Sequence, residues 1–219
     1  MINFVRIIGI SIWVIGVFIM INGCAGHIAL TKDANLPIRS VSINKEVPKP
    51  DTIGVYGSGE TFAALTGFVT LGVAGAVVAS EIPKKRGPLL KYVMEKEGID
   101  MGQILRDQFV DQLKNSGLFS TVLDEGGDAE FKLSILVAGF AKPAGFTSKL
   151  QPELSVEASL IKPDGTILWK NRRTVTQGTS RTPSRKYEEY INNPELIREA
   201  ISICSRIVVD KLVKDMLGK

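Results

Sequence analysis

Histidine is almost missing from this 219-residue chain: a single one, His27, stands near its start. Cysteine occurs only twice, at Cys24 and Cys204. Histidine titrates nearest neutral pH and serves most often as a general base. With its sole copy in the N-terminal stretch, a Ser-His or Cys-His mechanism inside a folded domain is excluded. Zinc sites draw several Cys or His ligands, and the supply here is too small. The carboxylates Asp124, Glu125 and Asp128 surround Gly126-Gly127. Their spacing sets up neither a calcium cage nor an acid-base pair, so they read as solvated turn residues. Gly57-Ser58-Gly59 lacks the Lys-Ser/Thr of a P-loop and the spacing of a dinucleotide fingerprint. No catalytic residue, metal or cofactor is expected. The net charge of +4 comes without a dense basic stripe, so nucleic acid is not an expected partner.

Charge is also absent from a long opening run. After Arg6 the next charged side chain is Lys32, and Ile7 to Ile21 is almost wholly apolar. A short positive region, an apolar stretch and then small residues form a secretory signal. Its end, Ile21-Asn22-Gly23-Cys24-Ala25-Gly26, resembles the lipobox of bacterial lipoproteins, with Asn22 departing from the usual residue at its place. The resemblance implies cleavage before Cys24 and acylation of that cysteine. It also implies outer-membrane attachment facing the periplasm, because Ala25 rather than Asp follows. The alternative is an uncleaved membrane helix, for which the run is long enough. If Cys24 carries lipid, Cys204 has no disulfide partner. Cys204 falls in a helical pattern with Ile197, Ile201 and Val208 and reads as a buried, inert thiol.

Residues 24–36 read as a tether, and 37–60 as a first strand with Val41 and Ile43 on one face, followed by the glycine-rich turn. Residues 61–82 form a second apolar stretch, free of charge between Glu60 and Glu81. Phe62, Leu65, Phe68 and Leu71 are its candidate membrane-contact residues, together with the Lys84-Lys85-Arg86 cluster that follows. Gly67, Gly72, Gly75, Ala76 and Ala79 are small enough to let helix backbones approach closely. Three readings stand: an element packed on the domain, a membrane-inserted segment that drives homo-oligomerisation, and a true second span. The second makes the protein a pore- or channel-forming lipoprotein. The third makes it a two-span inner-membrane protein with a cytoplasmic C-terminal domain.

Residues 83–219 carry a globular pattern. Leu89 to Glu97 suggests a short helix. Asp100 caps a second one, in which Met101, Leu105, Phe109 and Leu113 recur every four residues and Gly117 supplies the stop. Phe119 to Leu123 suggests a strand. Phe131, Leu133, Ile135 and Val137 alternate with less apolar residues, as do Leu154, Val156, Ala158 and Leu160. Lys162-Pro163-Asp164-Gly165 is a turn, with Ile167, Trp169 and Val175 on the return strand. A last helix starts at Asn193-Pro194.

No acidic residue occurs between Asp164 and Glu188, where Arg172, Arg173, Arg181, Arg185 and Lys186 fall. These are candidates for contact with an anionic partner, on what reads as a mobile basic loop.

The order of elements, with Leu113 to Phe119, Ala129 to Val137 and Leu154 to Trp169, resembles the small periplasmic α/β domain of several envelope lipoproteins. These are the curli-secretion lipoprotein, the lipoprotein activators of peptidoglycan synthases, and the N-terminal domain of the Tol-Pal β-propeller protein. The resemblance implies an α+β, two-layer fold: a small, mostly antiparallel sheet with two main helices on one face. It implies a lipid-anchored, non-catalytic module that binds an envelope protein partner in a secretion, transport or cell-wall machine. Fold likeness alone does not decide function.

Overall fold

The computed structural model describes residues 27–30, 38–56, 86–143, 147–176 and 182–218. The expected signal segment 1–23, Cys24, the Gly57-Ser58-Gly59 turn, Lys84, Lys85 and Arg181 lie outside those residues. So does the insert 61–82, with all its candidate contact and packing residues.

The described elements run β1 (Ser40–Ile43), β2 (Gly54–Tyr56), α1 (Arg86–Lys96), α2 (Met101–Ser116), β3 (Thr121–Leu123), β4 (Ala129–Ala141), β5 (Lys149–Ile161), β6 (Ile167–Val175), β7 (Arg185–Lys186), α3 (Tyr187–Asn192) and α4 (Pro194–Met216). Local chemistry accounts for several of them. The Asp100 carboxylate accepts hydrogen bonds from the backbone N–H of Gly102 at 2.7 Å and Gln103 at 3.1 Å, capping α2. Gly117 ends that helix at φ 68°, a left-handed conformation that favours glycine. Pro194 opens α4, where its missing N–H costs nothing. The turn into β6 closes with Gly165 N donating to Lys162 O at 2.9 Å, while Asp164 accepts from Thr166 N at 2.9 Å.

The α+β class holds, but the expected sheet needs correction. It is seven-stranded and mixed, in the order β3-β1-β4-β5-β6, with β2 also on β4 and β7 also on β5. Four helices accompany it among the described residues, not two. Only the β4–β5, β5–β6 and β5–β7 pairs are antiparallel; β1–β3, β1–β4 and β2–β4 are parallel. The cause is the connection. The helices α1 and α2 carry the chain back before β3, and such a crossover delivers a parallel strand.

β1 and β2 share one edge of β4, with Val41 opposite Ala129 and Gly54 opposite Gly139. The Asn44 side chain carries the ladder beyond β1. Its oxygen accepts from Leu133 N at 2.9 Å, and its amide donates to Leu133 O at 3.2 Å and Glu46 O at 2.5 Å. Further on, Ile135 N donates to Pro48 O at 2.8 Å.

A bulge between Ile135 and Val137 interrupts the alternation of β4. Phe131, Leu133 and Ile135 face the core as expected, but Val137 does not; Ala138 and Phe140 take over. An extra residue shifts a strand's phase by one, which reverses every side chain after it. Pro152 is tolerated inside β5 because β6 pairs only from Leu154 onward and β7 only at Lys149 and Leu150.

The core lies between the sheet and the helices. α4 crosses β5 and β6 and packs against α2. Phe131 receives Phe109 edge-on at 5.1 Å and Trp169 at 6.1 Å between ring centroids, so α2, β4 and β6 meet at one aromatic cluster. Full burial of such side chains contributes about 1.5–3 kcal/mol each.

Candidate functional site

β6 sorts its side chains onto two faces. Trp169, Asn171 and Arg173 lie opposite Leu160, Ala158 and Val156 of β5 and face the helices. Lys170, Arg172 and Thr174 face the outer side. On the helix side, the last turn of α4 brings Asp215 over the strand. One carboxylate oxygen accepts from Trp169 Nε1 at 3.1 Å and stands 3.2 Å from His27 Nε2. The other takes the Arg173 guanidinium at 2.7 Å. Asp215 is only 14% exposed. Burial works against its charge, but the side chains of Trp169, Asn171 and His27 and the Arg173 cation outweigh it, holding the carboxyl below its ordinary 3.8.

The tether is bound at the same place. Ile28 N donates to Lys170 O at 2.8 Å, and Lys170 N donates back to Ile28 O at 3.0 Å, an antiparallel bridge on the edge of β6. Leu30 packs against the core. Thus the segment expected to hang free of the domain is held to it within four residues of Cys24.

On the outer side, Glu157 accepts from Lys170 Nζ at 2.8 Å and from Arg172 at 3.2 Å. Ser155 and Thr174 share a hydrogen bond at 3.0 Å. Two cations around one carboxylate leave this patch positive.

The four described members of the expected basic set, Arg172, Arg173, Arg185 and Lys186, are not gathered on one loop. Arg172 and Arg173 point to opposite faces of β6, one to Glu157 and the other to Asp215. Arg185 and Lys186 form β7, opposite Leu150 and Lys149, and both are exposed. Tyr187–Asn192 form α3, a helix that sequence reading did not assign. Arg86 opens α1 with its guanidinium 4.9 Å from the Tyr187 ring centre, while Tyr187 donates to Arg86 O at 2.9 Å.

Sequence reading passed over Asp215. The available signal was its position: an acidic residue in the last turn of a helix opposes the helix dipole and calls for a compensating partner.

Cys204 is buried, with its thiol pushed up to about 12, first by burial and then by the Glu153 charge. It borders a cavity of about 20 Å³ among Met94, Met101, Phe140, Leu154 and Ile201. That is room for a single water. A larger hollow of about 420 Å³ opens on the outer face between Ser42, Gly127, Glu130, Lys132, Lys162 and Gly165. Among the described residues no group of His, Cys, Asp and Glu can hold a metal ion, and no helix is long and apolar enough to cross a membrane.

No protein-family model matches the chain, and no curated protein matches it. Among solved structures it is similar to a Xanthomonas campestris protein of the DUF330 family, at 18% identity over 53% of this chain and 62% of that one, TM-score 0.39. This chain therefore spans less than two thirds of that protein's length. It is similar to a PelC dodecamer from Paraburkholderia phytofirmans, at 9% identity over 82% and 86% of the two chains, TM-score 0.37. It is also similar to a candidate lipoprotein from Caulobacter crescentus, at 14% identity over 54% and 81%, TM-score 0.38.

Proposed function

We propose that this chain is a lipid-anchored cell-envelope protein, held on the periplasmic side of the outer membrane through Cys24. Its domain serves as a non-catalytic binding or assembly module for an envelope machine. The observation that carries the reading is the apolar opening run ending in the lipobox-like Ile21-Asn22-Gly23-Cys24-Ala25, and the bridge of Ile28 to Lys170 sets how far from the domain such an anchor stands. A chain spans at most about 3.3–3.6 Å per residue, so Cys24 lies within roughly 14 Å of Ile28. A lipid there holds the domain close against the membrane instead of on a long leash. Acyl chains contribute about 0.8 kcal/mol per buried methylene, and more than one chain gives stable attachment.

The non-catalytic part is supported by how the reactive side chains are engaged. The Cys204 thiol is buried and held in its neutral form. The intact mass of the protein extracted from membranes tests the anchor. Cleavage before Cys24 with added acyl mass, both lost in Cys24→Ser together with palmitate labelling, is the expected result. An unchanged mass in Cys24→Ser refutes it.

A further inference from the structure

Resting on the lipid-anchor reading, we infer that the β6 margin of the sheet, with Ile28 and Ile167 beside Lys170 and Arg172, lies against the anionic headgroup surface of the membrane. Three independent features converge on this margin. The first is reach. Ile28 stands four positions after Cys24, so whatever face surrounds Ile28 lies within roughly 14 Å of the anchor.

The second is exposed apolar area. Ile28 is 41% exposed and Ile167 is 42% exposed. Directly opposed residues in a ladder share a face. Ile28 lies opposite Lys170, Lys170 opposite Ser159, and Ile167 opposite Ile161. Ser159 and Ile161 are two apart on β5, so Ile28, Lys170 and Ile167 all stand on the outer face. The irregularity at Leu160 and Ile161 keeps Ile167 on that face despite the odd spacing from Lys170.

The third is charge. Lys170 and Arg172 outnumber the Glu157 they share. Lys211 adds a further cation at this margin, its Nζ 3.4 Å from Thr174 O. Two isoleucines set among cations match an anionic lipid interface, where apolar side chains enter the headgroup layer and lysine and arginine meet phosphate. The opposite margin, β3, lies four strand spacings away, about 19 Å. It exposes Leu123, at 38%, as a natural control.

The experiment uses the full acylated chain in vesicles containing anionic lipid, with acylation verified by intact mass. A nitroxide is placed at Ile167→Cys, at Ile28→Cys or at Leu123→Cys, and its collisions with oxygen and with a water-soluble nickel chelate are compared. The buried Cys204 thiol does not compete for the label. Labels at 167 and 28 are expected to show a higher oxygen-to-nickel ratio than the label at 123, with the difference shrinking in neutral vesicles. Equal, fully aqueous ratios at 167 and 123 in an acylated chain overturn the orientation and leave the anchor standing. Spin–spin broadening at 167 with an aqueous ratio assigns the face to a second copy and also overturns it. A chain without acyl mass overturns the anchor reading, and this inference with it.

Discussion

His27 Nε2 stands 3.2 Å from a carboxylate oxygen of Asp215, a residue 188 positions further along the chain. The two ends of the described chain are thereby latched over β6, where Asp215 also holds Trp169 and Arg173. The latch fixes where the tether leaves the domain.

Asp215 and His27 contribute unequally to that latch. Asp215→Asn takes from the 38%-exposed Arg173 its counter-charge and weakens the bonds of Trp169 and His27 to a carboxylate that is itself mostly buried, and is expected to cost about 1–3 kcal/mol in urea denaturation at pH 7. His27 is half-exposed, and His27→Ala is expected to cost no more than about 1 kcal/mol. The Asp215 carboxyl titrates below its ordinary 3.8 in the folded protein. Its stabilisation is therefore complete above that value and is lost as pH falls through the lower, folded one. The gap between wild type and Asp215→Asn should narrow below about pH 4. A gap that stays constant down to pH 2.5 contradicts this assignment.

Asn44 is expected to matter more than a half-buried polar residue at a strand end normally does. Its amide satisfies both the N–H and the C=O of Leu133. Asn44→Ala leaves them unpaired, a loss of about 2 kcal/mol. Hydrogen exchange at the Leu133 amide should accelerate more than at the Trp169 amide, which lies on β6, two strands away from β4. Uniform acceleration at both sites instead points to a global effect.

The paired glycines Gly54 and Gly139 should respond differently to substitution. A Cβ on Gly54 runs into the Tyr56 ring, whereas one on Gly139 meets both that ring and the Gly54 carbonyl oxygen at 2.8 Å. A ring can move or be removed; backbone cannot. Gly54→Ala should be nearly neutral in a Tyr56→Ala background. Gly139→Ala should still cost about 1–3 kcal/mol there. Equal rescue of both by Tyr56→Ala would show that the ring alone sets the constraint.

Features governed by a few neighbouring residues were legible in the sequence. The Asp100 cap, the Gly117 stop, the apolar face of α2, the Pro163-Asp164-Gly165 turn and the start of α4 at Pro194 each follow from chemistry within one turn of chain. The buried Cys204 followed from helical spacing in the same way. The sequence by itself thus determined the α+β class and most of the elements. Only the tertiary structure decided the rest. Parallel pairing of β1 and β2 with β4 depends on where two helices return the chain, and no local rule encodes that. The bulge after Ile135 moved Val137 out of the core because ladder registry is set jointly with β5. Arg172 and Arg173, adjacent in sequence, parted to opposite faces once they entered a strand. Asp215 found its partners through the docking of α4 on β6, across 42 and 46 residues of chain to Arg173 and Trp169. The tether was bound for the same reason: an open strand edge pairs with whatever backbone the fold brings to it.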